Sequence, residues 1–530
     1  MFNVFEMKSE EKNETVKKDQ SNFLRNWYVW IISMIGLSSL FLLVTFWCTN
    51  IFQDTILSSL IIQKGTTSFD FWERPPVKLI YKFYIFNYTN VEDFESGKAN
   101  KLRVQQLGPY IYRETKKRVN VHGNPENEMV VVPNIPLLAA ISYFRNLHIT
   151  AKLLLNLGLS TDFLWGYDDN LYNILKALSS LQDPLPYERF GILVGSNGIS
   201  KDRITINTGL NDMNYLGIIE KINGKSIHNI WGDEKCDKIY GTDGSMFPPK
   251  WINNYSTPLY IYVKELCKPL SFHFHEYGNV HGIPSLRYKM SVDSLKISST
   301  DSCFCPKTVG HNASERKCPP TGTFNVSACN SGLPILISLP NFYGADQSLI
   351  ESIDGLKPNE TLHESFLDLH QFLALPMNGS SKMQLNVEVR RAIGMPYTGK
   401  MKDGMILPIM WYDNTLDVLP QKFINIFFDA HFVITIIERA FRWGSVLVFL
   451  SCICALSIKA RNHYIFLSSR FLGLRRSLDV IAIYRKPAII RRLNTLTIKF
   501  IRYKEYIYIF FLIENIFLNS HIKFIYGKYV

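Results

Sequence analysis

The chain has 530 residues, 47% of them hydrophobic and 13% aromatic, with a formal net charge of +12. That length allows two or three domains, and abundant aromatics with only 20% charged residues exclude a mainly disordered chain. Residues 1–26 hold 5 Lys/Arg and 5 Asp/Glu, residues 27–458 hold 39 and 38, and residues 459–530 hold 14 and 3, so the large middle region is electrically balanced and a nucleic-acid partner is excluded for it.

Residues 1–26 read as a polar N-terminal tail. From Trp27 to Cys48 there are 22 residues without a charge. As a helix this run rises about 33 Å, enough for the ~30 Å hydrocarbon core of a bilayer. It is longer than the apolar segment of a cleaved signal peptide and ends in bulky Phe46-Trp47-Cys48, which predicts an uncleaved anchor.

Strand signals dominate residues 49–441. Val77 to Thr89 places Val77, Leu79, Tyr81, Phe83 and Ile85 on one face with Lys78 and Lys82 opposite, the period of two that a half-buried strand requires. Ile204 to Thr208 and Leu385 to Arg390 alternate likewise. Turn chemistry at Asn223-Gly224, Asp243-Gly244, Asp354-Gly355 and Asn378-Gly379 predicts breaks between strands. One region reads as helical. Leu171, Ile174, Leu175, Leu178 and Leu181 keep helical spacing after an Asp169 or Asn170 cap, and Phe144, Leu147, Ala151, Leu154 and Leu155 suit a helix upstream. A helical subdomain is therefore expected at about 135–182.

Six cysteines, Cys236, Cys267, Cys303, Cys305, Cys318 and Cys329, lie in the middle region. Cys48, Cys452 and Cys454 fall in the apolar runs. An even set suits three disulfides in an oxidising compartment, and Cys303-Phe304-Cys305 lacks the paired spacing of a zinc site. Six glycosylation sequons, at Asn87, Asn254, Asn312, Asn325, Asn359 and Asn378, share the region. Asn13-Glu-Thr stands on the other side of the first anchor.

The second apolar run, Trp443 to Ile458, reaches back to residue 442 if Arg442 snorkels, giving a second anchor at 442–458. Lys459, Arg461, Arg470, Arg475 and Arg476 follow it, and Lys17, Lys18 and Arg25 precede the first. The positive-inside rule then places both termini in the cytosol and residues 49–441 outside or in a lumen. Residues 459–530 read either as a basic cytosolic segment drawn to anionic lipid or as a gene-model artefact, translated from non-coding sequence.

No Gly-rich nucleotide loop, G-x-S-x-G elbow or H-E-x-x-H helix occurs. His273-Phe274-His275-Glu276 is the best metal candidate, set against a strand that turns Phe272 and Phe274 inward. Asp168-Asp169 is an acid–base candidate, set against helix capping. The sequence supports no enzyme, metal or cofactor.

Several segments resemble one family in order. They are Phe71-Trp72-Glu73-Arg74-Pro75-Pro76, Phe86-Asn87-Tyr88-Thr89-Asn90, Leu107-Gly108-Pro109-Tyr110 and Leu164-Trp165-Gly166-Tyr167-Asp168-Asp169. Further along come Gly241-Thr242-Asp243-Gly244, Phe247-Pro248-Pro249, Leu339-Pro340-Asn341-Phe342-Tyr343-Gly344-Ala345-Asp346 and Leu385-Asn386-Val387. From about residue 27 to 458 the chain resembles the class B scavenger receptors, which include fatty-acid translocases, lysosomal integral membrane proteins and sensory neuron membrane proteins.

The resemblance implies two transmembrane helices and an α+β ectodomain with an antiparallel β-barrel-like core, an apical helical bundle and a hydrophobic tunnel. It further implies the pairs Cys236–Cys303, Cys267–Cys329 and Cys305–Cys318. The implied partners are lipid or lipoprotein ligands (fatty acids, sterol esters, modified lipids), with homo-oligomers allowed. Lipids are admitted at the apex, where Lys152, Leu154, Leu155, Leu175 and Lys176 are the candidate contacts. The implied location is the plasma membrane or a lysosomal membrane. The chain departs from the family in lacking a strand segment between Asn127 and Val130, in a short apex between Leu159 and Phe163, and in Asn341 where many relatives have His. The alternative class, a two-span ligand-gated channel, needs polar pore-lining positions in its spans, and the second run offers only Ser445, Ser451 and two cysteines.

Overall fold

The computed structural model describes residues 27–113, 118–121, 129–143, 155–170, 172–173, 176, 188–196, 200, 202–306, 316–330, 332–390 and 401–482. The chain divides into two compact units, Met1–Trp47 with Arg442–Val530, and Cys48–Phe441.

Two helical stretches are long and apolar enough to cross a membrane, Trp27–Cys48 and Gln421–Ile465. The second is built from a helix Gln421–Phe428, a π-helical turn Asp429–Val433 and a helix Ile434–Ala482. It does not stop at the expected boundary of 458 but runs another 24 residues, about 36 Å. In the first unit the two stretches pack antiparallel. The Trp47 and Trp443 rings lie 5.8 Å apart at one end and Lys459 sits 5.6 Å over the Tyr28 ring at the other. Midway, a Cβ added at Gly36 would stand 3.4 Å from Cys452 Cβ. Gly36, Ser39, Ser445 and Cys452 are the buried residues between them, the small side chains that let helix backbones approach closely in lipid.

In the second unit alternating strands build one large open sheet. Its strands are β1 (Leu79–Tyr88), β2 (Leu102–Arg113), β3 (Arg118–Val121), β8 (Leu259–Val263), β9 (Lys268–Val280), β10 (Ile283–Met290), β11 (Thr323–Asn325), β12 (Ile335–Ser338), β13 (Ile353–Asp354), β14 (Phe366–His370), β15 (Pro376–Glu388) and β16 (Ile406–Leu416). The main path runs β13-β2-β1-β16-β15-β14-β10-β9-β8, with β12 joining β15, β11 joining β12 and β3 joining β2. Every pair is antiparallel except β13 with β2. β8 and β13 end the path without pairing to each other, so the expected barrel-like closure is corrected to an open sheet. β4 (Met129–Pro133) pairs only with β5 (Leu155–Leu159), and β6 (Ile204–Ile206) only with β7 (Ile219–Ile222).

Two further readings are corrected. Leu155, expected on a helix, lies in β5 opposite Pro133. Leu155, Leu157 and Leu159 also alternate with period two, and pairing with β4 selects that period over the helical one. Asn378-Gly379, expected as a turn, lies inside β15. Gly379 pairs with Leu367 of β14, whose Cδ1 lies 3.0 Å from where a Cβ would stand. The glycine is required there by close packing and not by a turn. Positive φ is supplied at hairpin turns by, among others, Asn223-Gly224 (φ 52° and 81°) and His281-Gly282 between β9 and β10 (φ 52° and 81°).

Candidate functional site

Because side chains alternate along a strand and paired residues share a face, the register fixes two faces of the sheet. One face carries Phe83 and Tyr81 of β1, Tyr412 of β16, Met383 and Leu385 of β15, Leu367 of β14, and Leu286 and Tyr288 of β10. This inner face joins two apolar clusters. The first gathers Phe83, Ile85, Tyr110, Val130, Leu137 and Phe163, and the second gathers Trp231, Phe247, Leu270, Leu286, Leu339 and Leu369. Tyr412 and Leu385 touch both clusters. Tyr412 is paired on both sides, with Phe83 and Met383, and yet keeps part of its side chain accessible, as do Leu385, Ser381 and Asn414 on the same face. Close-packed interiors leave few spaces that a water-sized sphere can enter. Tyr412 and Leu385 are thus partly exposed residues packed against both clusters.

The opposite face mixes aromatic residues, Tyr84 stacked on Trp411 at 3.7 Å and Phe366, with paired polar groups. Lys82, Asp413 and Lys382 stand side by side on β1, β16 and β15. Lys82 Nζ is 3.5 Å from Asp413 Oδ2, and Ser380 Oγ donates to Asp413 Oδ1 at 2.6 Å. Lys289 pairs with Glu364 at 2.7 Å. Burial pulls the pKa of Lys382 down, opposed by Asp413, while its Nζ donates to the Glu364 carbonyl at 3.1 Å.

Asn341, at φ 54° in the left-handed region that Asn tolerates, ties remote segments together. Its N–H donates to Gln384 Oε1 (2.6 Å) and its Nδ2 reaches Gln106 Oε1 and His363 Nε2 (both 3.3 Å). Gln106 Oε1 also accepts from Trp411 Nε1 at 2.8 Å. Burial pushes the His363 pKa down to about 4, helped by Lys382.

The sequence of these segments matches the family described as the CD36 family over residues 31–130 and 122–460. The chain belongs to the CD36 family. It is 30% identical over 423 residues to "Lysosome membrane protein 2" of Rattus norvegicus, covering 72% of this chain and 85% of that protein. It is 30% identical over 409 residues to "Scavenger receptor class B member 1" of Mus musculus, covering 69% and 76%. The Homo sapiens "Lysosome membrane protein 2" is 29% identical over 425 residues. The two family-matched stretches overlap at residues 122–130.

As a CD36-family member the chain is a membrane protein of the scavenger-receptor type, and the channel alternative finds no support. The buried span hydroxyls are already used, Ser39 Oγ donating to the Gly36 carbonyl (2.9 Å) and Ser445 Oγ to that of Arg442 (2.7 Å).

In this CD36-family chain the six cysteines form Cys236–Cys303, Cys267–Cys329 and Cys305–Cys318. Arg316 bonds the carbonyls of Cys303, Cys305 and Trp231 at 2.6–2.9 Å. The buried Asp237 carboxylate accepts the N–H groups of Ile230, Trp231, Gly232 and Asp233 at 2.8–3.2 Å. Among the described residues the one metal-like cluster is Asp233, Cys236 and Cys303, whose thiols are in a disulfide. His273 and His275 are exposed beside a buried Phe272. Asp169 Oδ1 caps the Tyr172 N–H at 2.8 Å, and Asp168 pairs with Arg189 at 3.2 Å.

The sequons separate by exposure. Asn254 and Asn359 are exposed and Asn87 and Asn378 half-buried. Asn325 is only 4% exposed, its Oδ1 accepting from the Ser327 N–H at 2.9 Å and hydroxyl at 2.5 Å. Asn312 lies outside the described residues. Of the apex candidates, Lys152, Leu154 and Leu175 lie outside them too. Leu155 is in β5, and Lys176 is helical and half-buried. Gln384 and His363, which are buried, and Gln106, which is exposed, are polar residues that sequence reading missed, since their partners are remote in the chain.

Proposed function

We propose that this CD36-family chain binds lipids on the inner face of its sheet and transfers them at a membrane, as a receptor and carrier without catalytic chemistry. The observation that carries the reading is the accessible surface kept by Tyr412 and Leu385 in mid-sheet, between two apolar clusters. Each methylene buried there gains ~0.8 kcal/mol, so a long acyl chain or a sterol reaches useful affinity with no charged anchor. The ligand class is fatty acids, sterol esters and lipoprotein or modified lipids. The ectodomain at 49–441, its glycans, the helical apex with Lys152 and Lys176, and cytosolic termini complete the reading. The proposed location is a plasma or lysosomal membrane, and the names of the relatives, a lysosome membrane protein and a scavenger receptor, fit a membrane receptor. Uptake of fluorescent fatty acid and cholesteryl ester by cells expressing the chain tests it. Uptake above that of mock-transfected cells is expected, and no uptake and no binding of either lipid by surface-exposed protein would refute it.

A further inference from the structure

Tyr288 of β10 is fully buried on the inner face, between Leu367 of β14 and Phe274 of β9. Its hydroxyl has no hydrogen-bond partner. A buried hydroxyl left unpaired costs about 1–3 kcal/mol, and such groups in native folds call for an explanation. The surroundings supply one. The Tyr288 ring meets Phe274 edge-on at 5.8 Å. Phe274 is in turn covered by Tyr255 at 4.6 Å and flanked by Tyr277 at 5.2 Å. Tyr255 and Tyr277 are 44% and 63% exposed. The inner face thus reaches the surface at an aromatic rim with an orphan hydroxyl directly behind it. The Tyr255 pKa is raised by its neighbour Tyr277 and by burial, and neither rim hydroxyl is a hydrogen-bond partner of Tyr288.

Burial, with smaller contributions from Tyr255 and Tyr277, raises the Tyr288 pKa, so the group keeps its proton and is a donor. No cation is among those electrostatic neighbours. A carboxylate brought here would lose its hydration with nothing to compensate it, whereas an uncharged oxygen would not. We propose that Tyr288 donates a hydrogen bond to an uncharged oxygen, an ester carbonyl or a sterol hydroxyl, of a lipid admitted past the Tyr255–Phe274–Tyr277 rim. The inference rests on the lipid-binding reading above and specifies its head group.

The test is Tyr288→Phe in the full-length glycoprotein in nanodiscs, titrated with three probes: a fluorescent sterol, a fluorescent cholesteryl ester and a fluorescent fatty acid. One lost hydrogen bond corresponds to a roughly 3- to 10-fold weaker Kd. That loss is expected for the sterol, the ester or both, with fatty-acid affinity unchanged, and whichever probe responds identifies the source of the oxygen. The apo Tm should not fall, because the hydroxyl has no partner to lose, and the Tm rise caused by the responding probe should shrink. Wild-type sterol and ester affinities in the variant would overturn the proposal while leaving the lipid-binding reading intact. A loss confined to fatty acid would overturn the uncharged-head assignment. A wild-type protein that binds none of the three would remove the lipid-binding reading itself. If Tyr288→Phe does not fold, the wild-type protein titrated with analogues lacking the accepting oxygen, a 3-deoxy sterol and a cholesteryl alkyl ether, reports instead: one or both should bind roughly 3- to 10-fold more weakly than the parent sterol or ester, and parent-like affinity of both analogues would overturn the assignment.

Discussion

Arg287 and Asp368 face each other across β10 and β14 in a two-pronged ion pair, Nε to Oδ1 at 2.8 Å and Nη2 to Oδ2 at 2.9 Å. Asp368 is fully buried, and Asn378 Nδ2 adds a third bond at 3.1 Å. The Arg287 guanidinium also lies 4.7 Å over the Phe366 ring. Removing the arginine strands a buried carboxylate, so Arg287→Ala is expected to cost about 3–5 kcal/mol. Arg287→Lys should recover only part of it, because an ammonium cannot make the fork. Denaturant unfolding of the two variants checks this, and equal stability of Ala and Lys variants would contradict it.

Exposure separates the sequons into testable classes. Asn254 and Asn359 present exposed side chains, whereas the Asn325 amide is buried in β11. Peptide mapping after enzymatic deglycosylation should find carbohydrate at Asn254 and Asn359 and an unmodified Asn325. Asn254→Gln and Asn359→Gln should each speed gel migration, and Asn325→Gln should not. Carbohydrate at Asn325 would mean that modification precedes and redirects the local fold.

The strands of the sheet were legible where alternation is undisturbed. Leu79 to Ile85 keeps an apolar–polar rhythm, and the register places those residues on the expected face. Legibility failed where one local pattern serves two structures. Leu155, Leu157 and Leu159 fit both periods until Pro133, Val131 and Met129 of β4 pair opposite them. Asn378-Gly379 has turn composition, but its glycine makes room for Leu367 and its asparagine bonds Asp368. The node at Asn341 was invisible because its partners, Gln106, His363 and Gln384, are chosen by the fold and not by neighbouring sequence. The strand and turn pattern left a large antiparallel sheet or a barrel open and the resemblance favoured the barrel, but no local signal specifies whether β8 and β13 meet.

The three disulfides should differ in weight. Cys236–Cys303 and Cys267–Cys329 close loops of 67 and 62 residues, and Cys305–Cys318 one of 13. Constraint of the unfolded chain grows with the logarithm of loop length, giving about 4 kcal/mol for each long loop and about 3 for the short one. Paired Cys→Ala replacements at 236 and 303, or at 267 and 329, should therefore lower Tm more than those at 305 and 318. The reverse order would show that strain or residual structure outweighs loop entropy.

Two buried histidines give the ectodomain an acid sensitivity with a definite sign. His370 Nδ1 accepts the Phe372 and Leu373 N–H groups (3.2 and 3.1 Å), so its Nε2 carries the proton and donates to the Phe427 carbonyl at 3.1 Å. Burial pushes the pKa of both His370 and His363 down to about 4, below the ~6.5 of an unfolded chain. Between these values the unfolded chain binds more protons than the native one, so stability is full above pH ~6.5 and drains as pH falls towards about 4. Tm should drop between pH 7 and 4.5, and the double variant His363→Gln with His370→Gln should lose most of that slope. A slope retained in the double variant would assign the effect to other groups.

Leu385 offers the sharpest test of the inner face. It sits on β15 between Ile337 of β12 and Met410 of β16, touches both apolar clusters and still keeps accessible surface. If that surface borders unfilled space used by lipid, Leu385→Trp fills the space without displacing its neighbours. Tm should then stay close to wild type while lipid affinity falls about 10-fold or more, the equivalent of ~1.4 kcal/mol of lost contact. If the residue is packed, the larger ring has nowhere to go, and overpacking costs about 1–3 kcal/mol, seen as a fall in Tm. The two outcomes move different observables, so one variant measured in thermal melts and in fluorescent-lipid titrations decides between them. A large loss of Tm with unchanged affinity in the folded fraction would remove Leu385 from the binding surface.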